Sequence, residues 1–283
     1  MVVIASHYPF YDKKGLYFSR IYQERSYILA VTTKEKYLGG MYINAEQPTR
    51  SLRSQAFEKG ELILVAGEHH KTGQGESTVN HYENLWDFAN QIFTVESAPY
   101  RWSTQDCMTM DGVPYVGKLT SHSNSLYIAT GFCKWGMTNS TSSAMILRDL
   151  IVKGESPWAP VYDPTRFIAP ASTMHFIKEN LNVAGEMIKG KLENPKKDVD
   201  LQPGEGKVVD VKGQRAGAYK DEKGNIFIVD TTCTHMGCEL QWNPAERTWD
   251  CPCHGSRFSF EGDVVDGPAK KPLPRLDQTR ISK

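Results

Sequence analysis

Two short stretches of the sequence concentrate the residue types that bind soft metal ions. The first, Cys233 to Cys238, reads CTHMGC, and the second, Cys251 to Ser256, reads CPCHGS. Together they hold four of the six cysteines and two of the eight histidines in a chain of 283 residues. A hydrophobic core has no need of clustered cysteines, so this spacing indicates a small domain formed around a metal centre.

Each stretch supplies one cysteine and one histidine at the spacing of metal ligands: Cys233 with His235, and Cys251 with His254. Two thiolates and two imidazoles suit a tetrahedral zinc ion, but zinc would leave one further cysteine in each stretch without a role. A [2Fe–2S] centre with two cysteines on one iron and two histidines on the other uses the same four residues. The residue pattern alone leaves both metals open.

The two stretches resemble the cluster-binding loops of Rieske iron–sulfur proteins of the cytochrome bc kind. Every motif position matches except the variable one that Met236 occupies. The resemblance implies a [2Fe–2S] cluster, a disulfide that joins the two loops, and a serine hydroxyl directed at a cluster sulfur. The implied residues are Cys233, His235, Cys251 and His254 as ligands, Cys238 and Cys253 as the disulfide, and Ser256 as the hydroxyl.

The sequence departs from many respiratory Rieske proteins two residues after Ser256. Those proteins carry a tyrosine whose hydroxyl points at the cluster, whereas this chain has Phe258. A hydrogen bond to a sulfur favours the more negative, reduced cluster. The resemblance therefore predicts a reduction potential below that of respiratory Rieske centres.

Three motifs in the first half of the chain resemble the C-terminal part of FAD-dependent amino-acid and amine oxidoreductases of the D-amino-acid oxidase and glycine oxidase superfamily. They are YRWSTQD (100–106), DGVPYVG (111–117) and IATGFCKWGMTNST (128–141). The resemblance implies that Gly131, Gly136, Met137 and Thr138 lie at the flavin edge. It also implies that Arg101 anchors a substrate carboxylate and that Lys134 lies near the substrate.

The third motif also has a physical interpretation of its own. A helical pattern from Asn139 to Lys153 follows a strand-like segment and a glycine turn. A helix that starts there presents free N–H groups and a positive dipole end, which suit an anion or the electron-rich edge of a reduced flavin. The alternatives are ordinary ones: a simple turn at 111–117 and a surface ion pair at Arg101.

The glycine-rich fingerprint of dinucleotide binding, G-x-G-x-x-G, is absent from the sequence. The nearest candidate, TGQG at Thr72 to Gly75, lacks the third glycine. The opening VVIA predicts a buried strand, of the kind that returns the chain to the FAD domain late in this superfamily. We therefore expect the C-terminal part of a longer FAD-dependent oxidoreductase, with an incomplete FAD site, fused to a Rieske domain.

These features predict an α+β chain. A partial FAD-oxidoreductase domain of mixed sheet and helices is expected over residues 1–170, a helical linker over 171–197, and a small all-β Rieske domain over 198–283. Apolar periodicity predicts helices over 79–93 and 139–153, and a short helix with Ile177, Leu181, Ala184 and Ile188 on one face. β-Branched and aromatic content predicts strands over 25–33, 39–45 and 61–67.

Charge and hydropathy limit the kinds of partner and the cellular location that the sequence suggests. Thirty-three basic and thirty-three acidic residues cancel, so no nucleic-acid partner is expected. The apolar runs are shorter than the roughly 20 residues that cross a bilayer, so no membrane span is expected. The N-terminus lacks the features of a signal peptide, and the lone Cys107 and Cys133 suit a reducing compartment. These observations predict a cytoplasmic protein.

Together the two resemblances predict an oxidoreductase that oxidises an amine or amino-acid-like small molecule at a flavin. Its electrons would leave one at a time through the Rieske cluster to an acceptor of unknown identity. The alternative is a stand-alone Rieske electron-transfer protein without flavin catalysis. A Rieske oxygenase is disfavoured, because that group usually lacks the additional cysteine pair and this sequence shows no His-x-x-x-x-His with a partner carboxylate.

Overall fold

The computed structural model describes residues 1–12, 15–58, 60–166, 170–193, 195 and 200–277. Their secondary structure comprises four sheets, four α-helices and a short 3-10 helix at Tyr17–Ser19. The helices are α1 (Thr78–Ile92), α2 (Gly136–Val152), α3 (Ala159–Tyr162) and α4 (Pro170–Leu192). The strands of the first part are β1 (Val2–Ile4), β2 (Ile21–Thr33), β3 (Met41–Ile43), β4 (Arg50–Phe57), β5 (Gly60–Lys71), β6 (Val95–Thr109), β7 (Tyr115–Lys118) and β8 (Leu126–Thr130). Those of the second part are β9 (Gly206–Val211), β10 (Gln214–Lys220), β11 (Ile226–Asp230), β12 (Gln241–Asn243), β13 (Thr248–Asp250), β14 (Arg257–Ser259) and β15 (Val264–Asp266).

The largest sheet is antiparallel, with the strand order β3-β4-β5-β2-β6. Because side chains alternate between the faces of a strand, the buried Tyr27, Leu29 and Val31 of β2 all point to one face. That face packs against helix α1 through Tyr82 and Leu85. Helix α1 begins and ends within one residue of the predicted 79–93.

A second sheet has the order β1-β8-β7, with β1 parallel to β8. The prediction of a buried first strand is wrong for Val2 and Val3, which are half exposed, and correct for Ile4. Helix α2 packs through Ile146 and Leu147 on the face of this sheet that contains Val116, Tyr127 and Ala129. It starts at Gly136, three residues before the predicted start, so the glycine turn leads directly into the helix.

Helix α4 is longer than the predicted short helix and presents a different side to the protein. It has 23 residues. The apolar face that predicted it is largely exposed at Ile177, Leu181 and Ile188, whereas Val183 and Met187 pack against the core of the second part. Helix α4 therefore joins the two parts by packing as well as by sequence. Residues 194 and 196–199, where the Rieske domain is predicted to begin, and 278–283, where it ends, lie outside the described residues.

Over the described residues 200–277, the second part contains strands joined by loops and turns, and no helix. One sheet has the order β11-β10-β9 and the other β12-β13-β14-β15. Their shared core contains Trp249, Phe258 and Leu240 together with cysteines of both sequence clusters. Gly217 lets the Trp249 ring lie directly on β10, because a Cβ there would be 2.5 Å from the indole.

Two strands of the large sheet were absent from the sequence prediction, β4 and the 15-residue β6. Strand β6 contains Pro99 and several small or polar residues, and most of its first half is exposed, so it lacks the β-branched content that identified the other strands. Within the part of the chain that the structure describes, no helix is long and apolar enough to span a membrane.

Candidate functional site

The two cysteine- and histidine-bearing stretches form two loops of the same local geometry. In the first loop (233–238) the Cys233 N–H donates to the Cys238 carbonyl at 2.8 Å, and the Gly237 N–H donates to the Cys233 carbonyl. In the second loop (251–256) the Cys251 N–H donates to the Ser256 carbonyl at 2.8 Å, and the N–H of its glycine donates to the Cys251 carbonyl. Both glycines have positive φ, +77° and +74°, which closes each turn tightly.

A disulfide joins the two loops between Cys238 and Cys253. The two cysteines are 15 residues apart in sequence, with β12 and β13 between them. The bond therefore holds the two loops next to each other. The sulfur of Cys251 lies within 4.8 Å of both disulfide sulfurs. The pairing is the one that the Rieske resemblance implies.

The two remaining cysteines of the loops are free thiols that lie next to each other. Cys233 and Cys251 are both almost fully buried. The neighbouring Cys251 thiol is the main cause that lowers the pKa of Cys233 to about 7. The thiolate is the form that binds metal, so the lowered pKa favours metal binding by the Cys233 sulfur.

The two histidines form the other side of the site. The rings of His235 and His254 are perpendicular, with centroids 5.1 Å apart. The Nδ1 atom of each ring is buried and has no hydrogen-bond partner among the described residues. Burial lowers the pKa of His254 to about 4, which keeps its imidazole neutral. Buried polar atoms are normally hydrogen-bonded, so two buried nitrogens without a partner, on neighbouring rings, fit the role of metal ligands.

The donor set fits a [2Fe–2S] cluster: two adjacent thiols on one side and two unpartnered imidazole nitrogens on the other. The Ser256 hydroxyl contributes to lowering the pKa of Cys233. The same Ser256 oxygen accepts the Ala269 N–H at 3.0 Å, which places the Gly267–Ala269 segment over the loops. Phe258 is fully buried in the core that contains both thiols.

The first part of the chain contacts the second loop directly. Gln74 donates through Nε2 to the Pro252 carbonyl at 2.8 Å. Gln105 of β6 donates to the Gly255 carbonyl at 2.9 Å and accepts from Thr72. These contacts could not be predicted from the sequence, because a glutamine that bonds a backbone carbonyl about 150 residues away leaves no local pattern.

The aromatic ring of Phe18 covers both histidines from the same side. Its centroid lies 5.8 Å from that of His235 and 5.7 Å from that of His254, edge-to-face in each case. A cavity of about 340 Å³ opens beside His235 and is lined by residues of both parts, including Tyr8, Phe18 and Lys271. The second part of the chain therefore does not present its histidines freely to solvent.

The residues implied at the flavin edge lie together in the turn before α2 and its first residues, which we call the α2 turn (131–138). Gly131 has φ +72° and packs against the Thr109 side chain, so a larger residue would collide there. Gly136, Met137 and Thr138 are exposed, and no side chain caps the first N–H groups of the helix. This open helix start with uncapped N–H groups fits the electron-rich edge of a flavin.

The two candidate substrate residues lie on opposite faces of the large sheet. Lys134 bonds Glu24 of β2 at 2.6 Å. Arg101 of β6 lies over the ring of Tyr82 in α1, with its guanidinium carbon 5.0 Å from the ring centroid. Glu24 and Arg101 occupy alternate faces of the β2–β6 ladder, so the structure does not bring the two basic residues together.

Two carboxyl groups near Lys134 were also missed by the sequence analysis. Glu24 pairs with Asp106 in the β2–β6 register, so both side chains lie on the Lys134 face. Burial raises the pKa of Asp106. The only sequence signal was the final aspartate of the YRWSTQD motif, which by itself predicts no orientation.

Comparison with known proteins identifies two families in the chain. A profile described as FAD dependent oxidoreductase matches residues 8–150. A profile described as Rieske [2Fe-2S] domain matches residues 194–277.

Individual proteins resemble the whole chain or one part of it. The Rieske 2Fe-2S iron-sulfur protein YhfW of Bacillus subtilis is 48% identical over 279 residues, which are 98% of this chain and 54% of that protein. The chain thus spans about half the length of this relative. The cytochrome b6-f complex iron-sulfur subunit 3 of a Nostoc species is 54% identical over 48 residues, 17% of this chain and 26% of that subunit. The crystal structure of glycine oxidase from Geobacillus kaustophilus matches 53% of this chain and 40% of its own with 19% identity and a TM-score of 0.45.

The family matches confirm the α+β class and both resemblances, and they imply FAD and a [2Fe–2S] cluster as cofactors. The chain belongs to the FAD-dependent oxidoreductase family and carries a Rieske [2Fe–2S] domain after the part that matches this family.

Proposed function

We propose that the chain performs the electron-transfer part of a flavin-linked oxidation, in which a Rieske cluster takes the electrons one at a time. Cys233 and Cys251 would hold one iron through their sulfurs, and His235 and His254 the other through Nδ1. The observation that carries this assignment is that the same two loops hold two buried Nδ1 atoms without a partner among the described residues and two buried free thiols. When bound, the cluster supplies one-electron redox chemistry.

The residues around this site would set its stability and potential. The Cys238–Cys253 disulfide holds the two loops in register, and Phe18 shields the histidine side from water. The Ser256 hydroxyl helps to lower the pKa of Cys233. A hydrogen bond from this hydroxyl to a cluster sulfur would stabilise the electron-rich form of the centre. The protein thereby determines how readily the site accepts an electron.

The flavin ring of FAD would bind at the α2 turn. The uncapped N–H groups at the start of α2 would stabilise negative charge at the flavin edge, with Gly131, Gly136, Met137 and Thr138 allowing close approach. The substrate class that the family suggests is an amine or amino-acid-like molecule. Lys134 belongs to this turn and is paired with Glu24 of β2. The role of Arg101 as a carboxylate anchor stays a prediction, and it requires a substrate group on the α1 face of the sheet.

A second candidate function is electron transfer without flavin catalysis. The observation that favours it is that all four proposed cluster ligands lie in the second part of the chain, in two loops joined by their own disulfide. In that case the α2 turn would serve only to support the sheet. Bound flavin distinguishes the two candidates, and the cluster is common to both.

The cluster assignment predicts two irons and two acid-labile sulfides in each purified chain. Cys251→Ala should lose both, because one iron would lack a ligand, whereas Cys133→Ala should retain both, since Cys133 lies outside the two loops. Metal analysis, sulfide determination and electron paramagnetic resonance of the reduced protein measure this. A single stoichiometric zinc ion in place of iron would contradict the proposal.

A further inference from the structure

Cys107 of β6 contacts both of the regions to which we assign cofactors. Its carbonyl accepts the N–H of Cys133, in the α2 turn, at 3.2 Å. Its thiol lies 3.3 Å from the Nε2 of Gln23, the residue opposite it in β2. Cys107 and Gln23 are both almost fully buried. One buried residue thus connects the α2 turn to the face of the sheet on which the Rieske domain packs.

Gln23 completes the connection to the second loop. A Cβ on Gly255 would collide with the Cβ and Cγ of Gln23, so the glutamine side chain lies directly against the loop backbone. Gly255 follows His254, one of the proposed iron ligands. The contacts from Cys133 through Cys107 and Gln23 to Gly255 are therefore continuous and closely packed.

We infer that electrons cross the large sheet along this route, from the α2 turn to the second loop through Cys107 and Gln23. The inference rests on the proposed function. In each crossing a reduced flavin loses one electron and one ferric iron of the cluster becomes ferrous. A one-electron acceptor takes that electron before the next crosses, so the two electrons of a substrate oxidation leave in two crossings, with the released protons passing to solvent.

Another side chain that contacts the second loop provides a matched control. Gln74 bonds the Pro252 carbonyl, two residues before His254, but its other side-chain partner is Asn182 of α4. Gln74 therefore touches the same loop without any described contact to the α2 turn. Removing its side chain should disturb the loop as much as removing Gln23, without interrupting the proposed route.

The test introduces electrons photochemically at two defined places. A ruthenium polypyridyl label is attached either to Met137→Cys, at the exposed start of α2, or to Lys271→Cys, an exposed position that lines the same cavity as His235. Both are made in a Cys133→Ser background, because the route uses only the backbone N–H of that residue. Flash photolysis with a sacrificial donor then measures the rate of cluster reduction.

The expected result is a selective effect of Gln23. Gln23→Ala should slow cluster reduction several-fold from the label at position 137 and leave the rate from position 271 unchanged. Gln23→Leu, which keeps the packing against Gly255 but lacks the N–H, should fall between parent and alanine variant. Gln74→Ala should leave both rates at the parent value. The reduction potential of the cluster and its electron paramagnetic resonance spectrum are recorded for each variant. All electron-transfer rates are then compared at a known driving force.

Two outcomes overturn the inference. If Gln23→Ala leaves the rate from position 137 unchanged, electrons do not use this side chain. If it slows both labels equally, with the potential unaltered, Gln23 acts on the cluster and not on the route. A parent chain without a [2Fe–2S] spectrum would instead overturn the proposed function, so the two failures are distinguishable.

Discussion

Phe258 occupies the position at which the resemblance to respiratory Rieske proteins implies a tyrosine. The ring is fully buried and packs in the core that also contains Cys233 and Cys251. It pairs with Trp249 across the β13–β14 ladder, which keeps it on the core side of the strand. A hydroxyl on this ring would therefore enter the group of residues around the proposed cluster sulfurs.

Phe258→Tyr should raise the reduction potential of the cluster. A hydrogen bond to a charged group is worth about 1.5–3 kcal/mol, and the difference between redox states is smaller. A difference of about 1 kcal/mol corresponds to roughly 40 mV for one electron. Protein-film voltammetry measures the shift, with Phe260→Tyr as the control, because Phe260 packs instead against Tyr219 and Phe227. An unchanged potential with an intact cluster would show that the hydroxyl points elsewhere.

At the scale of single residues, the sequence predicts a site when its residues are close in sequence and chemically unusual. Cys233, His235, Cys251 and His254 met both conditions, because few other structures require thiols and imidazoles at that spacing. Gln105 met neither condition. Its bond to the Gly255 carbonyl depends on how β6 and the second loop meet in space, and an uncharged glutamine in a strand predicts nothing by itself.

At the scale of elements, the loop between β5 and α1 holds the second cluster loop in place. Gly73 has φ +71°, and a Cβ there would lie 2.7 Å from the Pro252 nitrogen and 2.8 Å from the Cys251 carbonyl carbon. Gly73 belongs to the TGQG segment, which does not match the dinucleotide fingerprint. The structural reason for a glycine at this position is its contact with the second loop. Only the absence of a side chain allows this loop to approach the backbone of the proposed ligand Cys251.

Gly73→Ala should therefore weaken cluster binding, because the second loop must move to accommodate the methyl group. Gly75→Ala is the matched control: its φ of +94° carries similar backbone strain, but the nearest atom to its Cβ is His70 Nδ1 at 4.0 Å. Alanine at positive φ destabilises both variants by about 1 kcal/mol or more. Only Gly73→Ala should also release iron faster to a chelator, followed by visible absorption. Equal rates of iron release would mean that strain, and not the clash, decides cluster retention.

Elements with a strong hydrophobic period were predictable and those without were not. Helix α1 and strand β5 follow directly from Leu85, Ala89 and the apolar run near Val65. Helix α4 was recognised from Leu181 and Ile188, yet it buries Val183 and Met187 instead. Periodicity predicts that a helix forms, whereas the side that packs depends on the neighbouring domain.

At the scale of the whole molecule, the two parts share a polar, buried interface. The Thr78 hydroxyl donates to Asn243 Oδ1 at 2.6 Å, and the Tyr82 hydroxyl donates to Glu246 at 2.6 Å. Arg25 of β2 is almost fully buried, hydrogen-bonded to Ser103 and 3.9 Å from Glu246. Separating the parts would leave this guanidinium without its carboxylate partner, which is costly for a buried charge. The Rieske domain is therefore held in a fixed position against the sheet.

The proposed cluster ligands all lie in the second part of the chain, so the cluster should bind without FAD. We expect FAD itself to bind weakly. The FAD pyrophosphate normally requires a glycine turn that opens a helix after a strand, and the sequence has no G-x-G-x-x-G. The α2 turn can support only the isoalloxazine edge. We expect gel filtration of the chain mixed with FAD to separate the two, with iron and sulfide remaining on the protein. Cys251→Ala, which should lack the cluster, provides the control that flavin binding is measured apart from iron absorption. One FAD retained on each chain would show that residues 1–170 form a complete flavin site built without the usual fingerprint.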